Sequence, residues 1–258
     1  MSLVERSVTD SVMTVTLNDE SRRNALSDEL LGELVAAIDA ADHDPQVRVV
    51  IVTNNGTVFC AGANLRERSA PGTATVALSE LFLKIRNSPK IFVGRIGGHC
   101  VAGGVGLAAV LDISVAVDTA TFGFSEVRLG VAPAIIAVVC LPKMPFAAAQ
   151  SAFLRGHRFS AERAASTGLI TASVPLASLD STVHEIVNDL LAGEPHALAA
   201  TKELLHTVPG LSLNEAFAWT SQLSAELFAS DQAREGMAAF LEKRPAPWVQ
   251  HLPDVNAD

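Results

Sequence analysis

The stretch Gly97-Gly98-His99-Cys100-Val101-Ala102-Gly103-Gly104-Val105-Gly106 puts five glycines into ten residues and runs straight into the apolar segment Leu107–Leu111. A backbone with so few Cβ atoms is built to turn sharply or to approach something closely. A helix starting near Gly103 would aim unpaired N–H groups and the positive end of its dipole at that point. Such a place suits an anion, or an oxygen that gains negative charge during a reaction. A ligand-free strand-to-helix turn would satisfy the same glycines. Gly104-x-Gly106-x-x-Ala109 also fits a dinucleotide fingerprint, with Ile113–Val117 and Asp118 imitating the strand that ends in a ribose-binding acid. That fit is poor, because the apolar segment is too short for a crossover helix and the strand candidate Ile91–Ile96 ends several residues too early.

A chain of 258 residues has room for one large core with an appendage. No apolar run approaches transmembrane length, and Met1-Ser2-Leu3-Val4-Glu5-Arg6 lacks the apolar core of a signal peptide. Cys60, Cys100 and Cys140 lie far apart and are odd in number, which predicts reduced thiols in a cytoplasmic protein and no metal site. The net charge of −9 argues against nucleic acid or a membrane surface as partner. An anionic ligand would need a local basic patch.

Val4–Val8 and Val12–Leu17 read as two short strands. Ser27 caps a predicted helix with apolar positions at Leu30, Leu31, Leu34, Val35 and Ile38. Val47–Thr53 is a β-branched run typical of a parallel strand buried on both faces. A helix over Val76–Asn87 and strands over Lys90–Ile96, Ile113–Val117 and Ala120–Phe124 follow, then helices over Leu141–Leu154 and Ala161–Thr167. The alternation predicts an α/β fold with parallel strands to about Val174. From Ser178 on, four helical segments follow with no strand between them: Leu179–Leu191, Ala197–Leu205, Leu213–Phe228 and Gln232–Leu241. The chain divides into a core over 1–177 and a helical tail over 178–258 whose amphipathic segments suit oligomer contacts.

Small-residue loops at Ala61–Ala63 and Gly103–Gly106 could set two backbone N–H groups around one oxygen, the geometry of an oxyanion hole. Glu126, flanked by Phe122 and Phe124, is the best acid/base candidate, since an apolar setting raises a carboxyl pKa. Pairing with Arg128 at the surface is the competing reading. His99 could act as a catalytic acid, or simply hold the fold.

Phe59-Cys60-Ala61-Gly62-Ala63-Asn64-Leu65, Gly98 to Gly106 with Asp112-Ile113, and Phe122-Gly123-Phe124-Ser125-Glu126-Val127-Arg128-Leu129-Gly130 resemble the crotonase (enoyl-CoA hydratase/isomerase) superfamily. The resemblance runs from Arg23-Asn24-Ala25-Leu26-Ser27 to the tail Glu235–Arg244. It implies a crotonase-like spiral of ββα units with a C-terminal helical trimerisation region, as a homotrimer or dimer of trimers. It implies that Ala63 and Gly103 hold an acyl-CoA thioester oxygen and that Glu126 is a catalytic carboxylate. Asn24, Ala25, Leu26, Ala61 and Arg66 would line the coenzyme A channel, with Phe240 and Lys243 reaching coenzyme A, often from a neighbouring subunit. Coenzyme A is then part of the substrate, and no separate cofactor is expected.

Three departures stand out. Two-glutamate hydratases carry their first glutamate where this chain has Gly106, Asn64 replaces a frequent Asp, and Ala134-Ile135-Ile136 replaces a usual glycine pair, reshaping the acyl pocket. The run from Ser125 to Ala134 is most similar to the branch that includes methylglutaconyl-CoA hydratases. The expected activity is hydration of an enoyl-CoA, with one-carboxylate isomerisation or acyl-CoA binding without catalysis as alternatives. A glutamate substituted at Gly106 is expected to be tolerated in the first helical turn and to raise hydration.

Overall fold

The computed structural model describes residues 2–64 and 73–253. β1 (Val4–Thr9) and β2 (Val12–Leu17) form an antiparallel hairpin, and α1 (Asp28–His43) starts at Ser27, whose hydroxyl accepts the Leu30 N–H at 3.2 Å. Three strand–strand–helix units follow. The first is β3 (Val49–Asn54), β4 (Val58–Cys60) and α2 (Thr73–Asn87); the second is β5 (Ile91–Ile96), β6 (His99–Val101) and α3 (Gly103–Val110). The third has β7 (Ile113–Val117) and β8 (Thr121–Gly123), a short 3-10 turn over Ser125–Leu129, then α4 (Ala134–Cys140) and α5 (Phe146–Arg155). β9 (Arg158–Ser160), α6 (Ala161–Ser166) and β10 (Ala172–Val174) close the core. The tail holds α7 (Leu176–Ala192), α8 (Pro195–Thr207), α9 (Leu213–Ala229) and α10 (Asp231–Leu241).

The first strand of each unit enters a six-stranded sheet ordered β1-β2-β3-β5-β7-β10, and the second enters a four-stranded sheet ordered β4-β6-β8-β9. The spiral of ββα units is thus present. β3 pairs in parallel with both β2 and β5, which is why its sequence is β-branched almost throughout. Of the small sheet only β8 is legible in the sequence, as the strand read over Ala120–Phe124; β4, β6 and β9 are not, because strands of three residues are too short to show an alternation.

The helix predicted over Leu141–Leu154 is in fact broken. α4 ends at Cys140, a 3-10 turn spans Leu141–Lys143, and α5 begins only at Phe146. Pro142 and Pro145 explain the break, since neither has an N–H to continue a helical ladder.

α9 has no buried residue over its 17 positions. The segment after α10 ties this arm back to the body. Arg48 donates to the carbonyls of Gly193 and Trp248, and the Trp248 ring lies 3.0 Å from where a Cβ on Gly236 would sit.

Candidate active site

The parallel strands β4, β6 and β8 lie side by side, so their C-terminal ends deliver three loops to one place. β4 leads to Ala61–Ala63, β6 to Gly103, and β8 to Glu126. The crevice beyond the carboxyl ends of parallel strands is where ligands bind in open α/β sheets.

The first loop is set by Leu26, which bridges to Ala63: its N–H donates to Gly62 O at 2.7 Å and its carbonyl accepts the Asn64 N–H at 3.4 Å. That parallel pattern turns the N–H of Ala63 away from Leu26. Gly62, with φ +82°, lies so near the second loop that a Cβ would stand 2.9 Å from the Gly103 nitrogen. Gly104 is held closer still, a Cβ there falling 2.1 Å from Cys60 O. The glycines of the opening motif therefore allow backbone to meet backbone. Among the described residues neither the Ala63 nor the Gly103 N–H has an acceptor. Gly103 opens α3, so the helix dipole adds to its N–H.

Ala102, just before Gly103, has φ +50° and ψ −120°, a conformation alanine adopts only under strain. It is held there by its N–H donating to Gly123 O at 2.9 Å. The strained peptide links the oxyanion-type N–H to the strand that delivers Glu126.

Glu126 sits in the 3-10 turn, braced by the Phe124 ring stacked on Phe153 at 3.9 Å and on Phe159 at 6.1 Å. Its Oε2 is buried with no hydrogen-bond partner, and burial raises its pKa above the usual carboxylate range. The alternative pairing with Arg128 does not occur, as Arg128 donates instead to Arg155 O at 3.4 Å. A partly desolvated carboxylate with one oxygen unpartnered can take up and return a proton in this position.

His99 has no such freedom. Its Nδ1 accepts the Thr121 N–H at 3.0 Å, so it cross-links β6 to β8 as a structural group. Asn24 is fully buried with φ +51°, its amide spent on the Asp19 N–H and on the carbonyls of Asn55 and Val58. Its side chain shapes the loop that carries Ala25 and Leu26. The Ala61 N–H donates to Arg23 O at 3.1 Å in the same loop. Phe240, 82% exposed, and Lys243 stand at the end of the C-terminal arm, and Arg66 lies outside the described residues.

Sequence reasoning missed Phe82 and the exact place of Ile136. A Cβ on Gly106 would lie 2.5 Å from Ile136 Cγ2 and 2.9 Å from Phe82 Cζ. Gly106 has ordinary helical backbone, as expected, but the space for a side chain is filled. The apolar spacing of α2, with Leu78, Leu81, Phe82 and Ile85 buried, was the available signal for Phe82.

A profile of the family described as enoyl-CoA hydratase/isomerase matches residues 7–251. The chain belongs to that family. A relative from Thermus thermophilus is 34% identical over 242 residues, covering 91% of this chain and 96% of its own. Enoyl-CoA hydratase EchA19 of Mycobacterium tuberculosis is 33% identical over 259 residues, covering 97% and 96%. The crystal structure of an enoyl-CoA hydratase from Mycobacterium smegmatis superposes with a TM-score of 0.92 at 28% identity, covering 97% of this chain and 100% of its own. As a member of the enoyl-CoA hydratase/isomerase family, the chain is an enzyme acting on acyl-CoA thioesters. Among the described residues no helix is long and apolar enough to cross a membrane.

Proposed function

We propose that this enzyme adds water across the α,β double bond of an enoyl-CoA. The observation that carries the reading is the placement of two acceptor-free N–H groups, on Ala63 and Gly103, and of the Glu126 carboxylate, whose Oε2 has no partner, beyond the ends of three adjacent strands. The thioester oxygen accepts both N–H groups. Water attacks the β-carbon, the electron pair moves onto the thioester oxygen as an enolate, and the α-carbon then takes a proton. Glu126 removes the water proton and supplies the one that reaches the α-carbon. Each N–H aimed at the developing oxyanion is worth ~10²–10³ in rate. In this reading coenzyme A is part of the substrate and no further cofactor takes part.

The blocked space over Gly106 favours a second reading, migration of the double bond, which needs one carboxylate to shuttle one proton between two carbons. Incubation with crotonyl-CoA tests the first reading through loss of the conjugated thioester absorbance. A 3-enoyl-CoA tests the second through its appearance. Migration without hydration would replace the first reading by the second.

The exposed apolar arm supports a homotrimer or dimer of trimers. Phe217 and Phe228 on α9 and Phe240 on α10 are each at least 65% exposed within the single chain. On this reading Phe240 and Lys243 reach coenzyme A bound to a neighbouring subunit. Three buried free cysteines support a cytoplasmic setting. A monomer by sedimentation would remove the assembly.

A further inference from the structure

We propose that Ile136 and Phe82 form a partition that fixes the acyl-chain length this enzyme accepts, and that an alkyl tail would enter the cavity behind them once the partition is opened. The inference rests on the acyl-CoA reading above. α2 and α3 run side by side in matched steps. Leu78 lies against Gly103, with its Cδ2 3.6 Å from where a Cβ there would be, and Phe82 lies against Gly106 one turn further on. The next turn of each helix brings Arg86, Ala109 and Val110, and these line a cavity of about 730 Å³. On α4 the same step leads from Ile136, over Gly106, to Val139 in the cavity wall. Residues three or four apart share a helix face. The faces of α2, α3 and α4 that meet at Gly106 therefore lead on to the cavity wall one turn further, with Ile136 and Phe82 packed between the thioester-binding N–H and the cavity.

The partition is tight. Ile136 is 3% and Phe82 5% exposed, and both reach within 3 Å of the point where a Gly106 side chain would begin. It stands about 5 Å along α3 from Gly103, at 1.5 Å of rise per residue, so the chain meets it a few carbons beyond the thioester. The cavity beyond has a mainly apolar lining that includes Ile91, Leu198 and Leu205. Its one acid, Asp112, is already paired with Lys202 at 2.9 Å. Arg86, Lys143 and Lys202 line other parts of it, so an alkyl tail would run along the apolar part of the wall.

The test compares crotonyl-CoA with trans-2-decenoyl-CoA by kcat/KM, and butyryl-CoA with decanoyl-CoA by calorimetric Kd, which needs no turnover. The wild type is expected to favour the short member of each pair by at least 10-fold. Ile136→Ala is expected to move both ratios toward the long member by at least 10-fold, and Ile136→Val by a smaller step with less risk to folding. Adding Val139→Phe to Ile136→Ala puts bulk back at the entrance to the cavity and should restore the wild-type preference. A wild type that binds both lengths equally, or a folded Ile136→Ala with unchanged ratios, overturns the partition. If neither thioester binds the wild type, the acyl-CoA reading itself fails, and the partition with it.

Discussion

Ile136 occupies the space that a side chain on Gly106 would need, its Cγ2 lying 2.5 Å from the position of the missing Cβ. This reverses the expectation drawn from helix electrostatics alone. The backbone at Gly106 does accept any residue, but overpacking decides the outcome. Gly106→Glu is expected to lose roughly 1–3 kcal/mol of stability with no gain in hydration. Gly106→Glu combined with Ile136→Gly removes the clash with Ile136, so the double variant should be less destabilised than the sum of the two single variants. Urea melts and crotonyl-CoA assays on all three variants check this, and a stable, faster Gly106→Glu would refute it.

Glu126→Gln should lower turnover by at least ~10², the common scale for general acid–base catalysis. It should also raise the melting temperature at neutral pH. The fold binds the Glu126 proton more tightly than the unfolded chain does, because burial raises its pKa. Its favourable contribution to folding is therefore present at low pH and is lost as pH rises through the folded-state value. The gain in melting temperature from Glu126→Gln should shrink as pH is lowered. The same raised pKa places the acid limb of the wild-type kcat/KM profile above 4.5, the ordinary value for Glu. A limb at or below the ordinary value would detach Glu126 from that profile.

Ala102→Gly relieves a backbone held at φ +50° and ψ −120°. The relief, about 1–3 kcal/mol, opposes a loss of about 0.5–1 kcal/mol from the freer unfolded chain. The variant should be as stable as the wild type or slightly more so. It should have a lower kcat, since the Gly103 N–H is less firmly aimed. Chemical denaturation and steady-state kinetics read the two effects separately; clear destabilisation would mean that Ala102 is not strained.

Lys202 joins α8 to the core through Asp112 at 2.9 Å and the carbonyls of Ile85 and Lys90, with its ammonium 4.9 Å above the Phe92 ring. Lys202→Met leaves the largely buried Asp112 carboxylate without this cation and should cost up to about 3 kcal/mol. Adding Asp112→Asn should return part of that loss, as a double-mutant cycle in urea will show. Equal stability of wild type and Lys202→Met would mean that the ion pair contributes nothing.

Much of the core was legible because its signals are local. Ser27 caps α1, and the β-branched run read over Val47–Thr53 is the parallel strand it was read to be, begun two residues later. The loops of Ala63 and Gly103 were legible as small-residue turns, and the bridge from Leu26 to Ala63 brings the first of them to the glycine motif. What stayed hidden depends on contacts between distant segments. Whether Glu126 would pair with Arg128 turned on Arg155, and whether His99 was free turned on Thr121 in a strand of three residues. The filling of the Gly106 site joins three helices, and no single stretch of sequence states it.

The bare surface of α9 has a thermodynamic consequence. A helix that buries none of its residues within its own chain gains little from the core, and so draws its stability from whatever covers it. With a second and third copy as the cover, dilution acts as a denaturant, and the melting temperature becomes a function of protein concentration.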